Sequence, residues 1–492
     1  MSAQGQIKVK DLIKNTFFHS SGIFIGKILN FALKIVSLKI LGLENLGIYI
    51  LLNLLIPYYS YFFLGLSYSL PRLVPKLQAK KDFEAIQKNR SVVNLFNLFM
   101  SILLMAIFFV YIVFFYDKQN FGFTKISLII VFLTSFFTQI ATLINSHLKS
   151  IGEFTKKTVN SAAVRIFFPI VSMILIFFFG LNGYLFSGLL INAINSINLI
   201  LFSQRKNLNI FDIGFFDFGL LIQNIKLGFS MLIGKKFSDI LYTILMTFIG
   251  FNFSKFIVGE IGFLMSMFSA ISQLLGPFYL VVERRIYLLK ELSKIKVNDF
   301  LNVSFGNSIV LGIMIQSFSL IMVYIIPIYF TELDQSIILI PLFATLFTLK
   351  NSIMINDFYI NAYNLLKERN IIAILITGLY FLGTRESFII IDIKYFLIIY
   401  MICIFIYKIL LHLFLIKFFK DPLTIFRIIL GDLLCTVIVF LFCSMIVHND
   451  FKIYESIGLL IIFLISLVFV YLKNPVRLSK NLIQFLDKDL VK

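Results

Sequence analysis

The chain of 492 residues is 59% hydrophobic and only 14% charged, and it carries a formal net charge of +19 with a mean hydropathy of +0.95. Soluble domains hold about 25% charged residues, so a water-solvated globule is excluded. There is no soluble segment on which a basic groove could form, so the charge does not mark a nucleic-acid partner. It fits the Lys and Arg excess of cytoplasmic loops.

Apolar runs of about 18 residues or more recur along the whole length, each long enough to cross a ~30 Å hydrocarbon core as a helix. The fold class expected is an all-α integral membrane protein with fourteen spans. Before the first, QIKVKDLIKNTFFHS has no short apolar core followed by small residues, so no cleaved signal peptide is expected. It reads as an amphipathic helix on the membrane surface, with Lys8, Lys10 and Lys14 facing phosphates. The first six spans are placed at 20–41, 46–69, 91–116, 124–146, 158–180 and 184–203. The next six are at 227–250, 257–281, 301–329, 336–360, 369–384 and 395–418, and the last two at 423–447 and 454–472. Span 11 is short, and GTRESFIIIDIK after it reads as a loop or a bent continuation.

Of the 44 Lys and Arg, 29 fall in or beside the termini and the loops on their side, 6 beside the opposite loops and 9 within spans. This asymmetry places both termini in the cytoplasm. The longest cytoplasmic connections, PRLVPKLQAKKDFEAIQKNR and VERRIYLLKELSKIKVND, read as surface-lying helices. External loops are at most about a dozen residues, too little for an enzyme of long extracytoplasmic glycans.

Span 1 is interrupted by ammonium groups. Lys27, Asn30, Lys34 and Ser37 share one helical face. Lys39 is near enough to an end to snorkel, whereas Lys27 and Lys34 lie deeper. A charge at the bilayer centre costs roughly 2.5–3.5 kcal/mol on insertion scales, so this stripe is expected to face a wet cavity. Span 7 adds Lys235, Lys236 and Asp239, where an intrahelical ion pair competes with a cavity role. Arg165, Lys350 and Lys408 are further buried cations, and Arg427 at the edge of span 13 is expected to snorkel. Against these stand chiefly Asp239 and Asp432. The imbalance points to an anionic substrate as the missing counter-ion, because ammonium and guanidinium groups are usual partners of phosphate. Asn53, Tyr58, Tyr59 and Tyr61 of span 2 and Asn192, Asn195 and Asn198 of span 6 could line such a cavity or join helices. Pro57, Pro169, Pro277, Pro327 and Pro341 could act as bending points.

A faint repeat links IGKILNFALKIVSLKILG (25–42) with IGKKFSDILYTILMTFIG (233–250), pairing Asn30 with Ser238. Such repetition would put spans 1 and 7 in equivalent places. Cys403, Cys435 and Cys443 lie in apolar segments and form neither a disulfide framework nor a metal cluster. His19, His147, His412 and His448 are scattered, with no second ligand at metal spacing. No phosphate-binding loop occurs, and no cofactor is expected.

The stretch LKILGLENLGIYILLNLLIPYYSYFFLGLSYSLPRLVPK resembles the N-terminal signature of Wzx-type polysaccharide flippases. These belong to the multidrug/oligosaccharidyl-lipid/polysaccharide exporter superfamily. The matching elements are Leu41-Gly42, Gly47-Ile48-Tyr49, Leu64-Gly65-Leu66 and Arg72. Where the family usually has Pro-Glu before an aromatic residue and the Gly, this chain has Leu43-Glu44 and Leu46. The resemblance implies two six-helix lobes around a central cavity, 1–203 and 204–418, with peripheral helices and a cytoplasmic tail over 419–492. It implies a transporter of the bacterial inner membrane, not an enzyme, that flips undecaprenyl-pyrophosphate-linked O-antigen or capsule units to the periplasmic leaflet by alternating access. Its partners would be that substrate, membrane lipids, a glycan polymerase and chain-length regulators. Lys27, Asn30, Lys34, Arg165, Lys235, Lys236, Lys350 and Lys408 would bind the anionic head, and Asp239 could take a coupling proton or sodium ion. A multidrug exporter of the same fold, a small-solute carrier and a membrane glycan polymerase are the alternatives. A drug exporter would be expected to place acids in its cavity.

Overall fold

The computed structural model describes residues 9–116, 123–151, 154–205, 214–272, 279, 286, 297–324, 337–363, 365–386, 393–419 and 422–448. Span 14, residues 1–8, Pro277, Pro327 and most of 282–296 lie outside the described residues, as do the side chains of Lys10, Lys14 and Arg427. The described elements are helices, with no strand among them. In chain order they are α1 (Val9–Asn53), α2 (Leu55–Tyr61), α3 (Leu70–Ala79), α4 (Phe83–Val110), α5 (Lys125–Ser150), α6 (Phe154–Arg205) and α7 (Phe218–Asn252). They continue with α8 (Lys255–Ser272), α9 (Val297–Tyr324), α10 (Ile340–Ala362), α11 (Leu366–Glu386), α12 (Ile393–Phe419) and α13 (Pro422–His448).

Two predicted inter-span turns reduce to single glycines. Gly42 breaks α1 at φ 69° and ψ 171°, and Gly180 breaks α6 at φ 56° and ψ −134°. Only a residue without Cβ enters these regions at little cost. The interruption between α1 and α2 at Leu54 comes just before Pro57, whose missing N–H cannot bond the carbonyl four residues back. Side chains cap the starts of the later helices: Asp82 accepts from the Ala85 N–H, Thr124 from that of Ser127 and Asp217 from that of Leu220, each at 3.0 Å.

Seven of the described helical segments are long and apolar enough to cross a bilayer, and Phe218–Ile233 and Val310–Tyr324 are shorter apolar segments.

Polarity is inverted relative to a soluble protein. Helix α4 buries Asn89, Ser91, Asn94, Asn97 and Ser101 while exposing Phe99, Ile102, Ile107 and Phe109. Helix α5 buries Ser127, Thr134, Ser135, Gln139, Ser146 and His147. Hydrocarbon tolerates the first pattern and penalises its reverse.

The chain divides into two compact units, Ser21–Gly259 and Met1–Ser20 with Glu260–Lys492. In the first unit, side-chain hydrogen bonds join the helices. Gln139 donates to Asn97 at 2.9 Å, His147 and Asn94 meet at 2.8 Å, Asn224 donates to Asn89 at 2.8 Å, and Ser69 donates to Asn224 at 2.7 Å. Each such bond contributes of order 0.6 kcal/mol in membranes. Bare backbone contact does the rest: a Cβ on Gly228 would stand 2.4 Å from the Gly65 carbonyl oxygen, and one on Gly47 would stand 1.8 Å from that of Lys255. Helix α7 is thereby held within the first unit. In the second unit α9, α10, α12 and α13 pack together, and α11 lies along α12.

Gly228→Val should therefore lower stability by about 1–3 kcal/mol through overpacking. Gly378→Ala, whose added Cβ meets nothing within 4 Å, should be neutral or slightly stabilising. Thermal unfolding of the two variants in detergent checks the difference.

Candidate functional site: the buried cations and their partners

Lys34 lies on the first arm of α1, on the face it shares with Asn30 and Ser37. Neither neighbour is directed at a ligand. The Asn30 amide donates to the Gly26 carbonyl at 2.8 Å, and the Ser37 hydroxyl donates to that of Lys34 at 2.9 Å. The Lys34 ammonium donates to the Tyr184 hydroxyl at 3.3 Å. It stands 5.6 and 5.8 Å from the ring centroids of Tyr49 and Tyr184, which stack at 3.8 Å with a 2° interplanar angle. Leu33, Leu41 and Ile176 seat Tyr184. The breaks at Gly42 and Gly180 bring both tyrosines beside a lysine that sequence spacing could not pair with them. Among the described residues Lys34 has no carboxylate within ion-pair distance, so its charge is met by the Tyr184 hydroxyl at the rim of the tyrosine stack.

A second grouping joins α2 to α7. Tyr58 and Thr247 share a hydroxyl hydrogen bond of 2.8 Å, and Tyr61 and Thr243 one of 3.4 Å. One turn further along α7, Lys236 meets Asp239 at 2.9 Å, with side chains 44% and 47% exposed. The spacing of Lys236, Asp239, Thr243 and Thr247 puts all four on one helical face. The structure thus unites the expected tyrosines of span 2 with the expected Lys236 and Asp239 of span 7. Tyr59 differs from its neighbours and is buried against Phe63 and Phe132. The amides of Asn53 and Asn192 each donate to the carbonyl four residues back in their own helix.

In the second unit Lys350 stands 6.0 Å from the Phe347 ring. Lys408, expected at a substrate cavity, is instead 3% exposed, with its ammonium 2.8 Å from Asp432. It also donates to Ser352, and Ser308 donates to the other oxygen of Asp432. Arg369 lies 3.9 Å from Asp357. The side chains of Lys27, Arg165 and Lys235 lie outside the described residues. Asp239 and Asp432, the two acids set against the cation excess, are thus each committed to one lysine. The surplus charge with no internal carboxylate narrows to Lys34 among the described substrate candidates of the first unit.

The sequence reading missed the surroundings of Lys408. Its usable signal was the four-residue spacing of Lys408 and His412, with a lone aspartate in the next span. Among the described residues no group of His, Cys, Asp and Glu is arranged to hold a metal ion.

Removing one member of the buried pair strands the other. Asp432→Asn should destabilise by about 3–5 kcal/mol, and the double variant Lys408→Met/Asp432→Asn should recover most of the loss. The half-exposed Lys236–Asp239 pair should show a coupling of only ~0.2–1 kcal/mol. Double-mutant cycles on purified protein test both.

No family model matches the sequence, and no curated protein matches it. Solved structures do. The lipid II flippase MurJ in an inward closed conformation matches with a TM-score of 0.62 at 16% identity, over 92% of this chain and 98% of that one. The eukaryotic MATE transporter AtDTX14 matches at 0.58 and 12% identity, over 85% and 98%. The MATE multidrug transporter DinF-BH matches at 0.56 and 15% identity, over 87% and 100%. The chain shares the multi-pass helical membrane fold of these proteins.

Proposed function

We propose that the chain is a flippase for a lipid-linked oligosaccharide bearing a pyrophosphate, moved between leaflets of the bacterial inner membrane by alternating access. The fold is common to a lipid flippase and to drug exporters, so it does not by itself choose between their cargoes. The observation that carries the choice is the Lys34 ammonium, half-buried in a membrane-spanning helix and met by Tyr49 and Tyr184 without a carboxylate among the described residues.

A phosphate oxygen is a stronger partner for that ammonium than a phenol is, because both groups are charged. Lys27, Arg165, Lys235 and Lys236, with the Asn30 amide, complete the proposed cationic lining. Asn30 and Lys236 would have to leave their present partners to reach substrate. Asp239 remains the proposed coupling residue of the first unit, since its half-exposed carboxylate can exchange Lys236 for a proton or cation. The favoured cargo is an O-antigen or capsule repeat unit on undecaprenyl pyrophosphate, as the N-terminal signature implies. A glycan polymerase and chain-length regulators would act after it.

A second reading, export of cationic small molecules, rests on the same half-exposed Asp239. Lys236, 2.9 Å away, already neutralises that acid, which weakens the reading.

Lys34→Ala should reduce surface-glycan export at least tenfold while leaving membrane insertion intact, and Lys34→Arg should retain most of it. Complete lipid-linked units should accumulate on the cytoplasmic side. Unchanged glycan display in Lys27→Ala/Lys34→Ala would remove the site assignment, and efflux of cationic dyes lost in Asp239→Asn would favour the second reading.

A further inference from the structure

The group around Lys408 contains a base that ion pairing does not explain. His412 lies one turn beyond Lys408 on α12 and is 1% exposed. Its Nδ1 is 2.9 Å from the Lys408 carbonyl oxygen, which can only accept. The proton of the neutral ring therefore belongs on Nδ1, and the Asn356 side-chain amide, 3.3 Å away, suits that N–H with its oxygen turned toward the ring. Nε2 then presents a lone pair, and it stands 3.8 Å from Asp432 Oδ2, the same oxygen that meets the Lys408 ammonium. Lys408, His412 and Asp432 also border a void of about 10 Å³ with Leu349, Phe405 and Ile409, and its accessible lining is apolar.

We propose that Lys408, His412 and Asp432 form a proton-binding site inside the second unit. The group as described is neutral: one ammonium, one carboxylate and one neutral imidazole. A proton taken up from solvent forms an N–H bond at His412 Nε2 and raises the charge of the group to +1. The imidazolium then donates to Asp432 Oδ2 and competes with Lys408 for it. One bound proton thereby loosens the Lys408–Asp432 pair that joins α12 to α13.

Among the described residues, the surrounding elements add no further charge to the group. Helix α9 contributes the Ser308 hydroxyl, α10 contributes Ser352 and Asn356, and α13 contributes Cys435, whose thiol donates to the Ser308 carbonyl at 3.2 Å, besides Asp432 itself. From the α11 side, Arg369 is directed to Asp357 at 3.9 Å. Ionisable side chains within a membrane are costly, and relays of Asp, Glu and His carry protons in transporters. Two bases facing a tethered ammonium are the parts of such a site.

The site rests on the transport reading only for what the proton drives, so its first test is independent of transport. The full chain, labelled with ¹⁵N-histidine, is placed in lipid nanodiscs and its ring resonances are followed from pH 9 to pH 5, with His412→Gln giving the assignment. The expected result is an Nδ1–H tautomer at high pH that converts to imidazolium within this range. In Lys408→Met the midpoint should move up by about one pH unit, a tenfold change in proton affinity. A ring that carries its proton on Nε2, or that stays neutral to pH 5, overturns the site. In a second measurement, lipid-linked oligosaccharide flipping in proteoliposomes is compared across the same pH range. His412→Gln should fold and flatten the profile. An unaltered profile in that variant overturns the coupling even if the ring titrates. A chain that binds the proton but flips no such lipid keeps the site and removes the transport reading instead.

Discussion

Hydrocarbon supplies no hydrogen bonds, so every polar group carried into the membrane must find its partner in the protein. This constraint orders the rest of the structure. It turns α4 and α5 inside out, with amides and hydroxyls buried and phenylalanines outward. It also sends Asn30, Asn53 and Asn192 back to carbonyls of their own helices. The asparagine bonds between α4 and α7 hold those helices together because the amides have few cheaper alternatives.

The same constraint sorts the lysines by partner. Lys408 has a buried carboxylate and two hydroxyl-bearing neighbours, and its charge is matched within the unit. Lys236 has a carboxylate but shares half of its surface with whatever medium it faces. Lys34 has only aromatic and phenolic company among the described residues. These are three levels of internal neutralisation, and capacity for an external anion rises as internal neutralisation falls. A count of buried charges cannot make that distinction. A contact map can.

What the sequence made legible followed from periodicity. The spans and the Lys236–Asp239 pair both depend on residues a few positions apart. The turns at Gly42 and Gly180 fall where apolar runs meet. Pairings across the fold were not legible, because nothing in the spacing of span 1 says that Tyr49 and Tyr184 will close around Lys34. The closing glycines of the faint repeat match by position but differ in conformation: Gly42 takes a positive φ and breaks its helix, whereas Gly250 stays helical to Asn252. An added Cβ at Gly250 would meet the Leu51 methyl at 2.3 Å, the movable end of a flexible side chain.

A transporter that moves an anion through such an interior has to alternate between meeting the cargo and meeting itself. The tyrosine pair around Lys34 suits that alternation. Losing a phenol–ammonium hydrogen bond costs far less than separating a buried ion pair, so the ammonium can be released to a phosphate and recovered afterwards. If Lys34 were paired as Lys408 is, the same exchange would first have to expose a bare carboxylate to low dielectric. The absence of an internal acid beside Lys34 among the described residues is therefore what makes it suited to reversible binding, and the presence of one beside Lys408 is what makes that position suited to a proton.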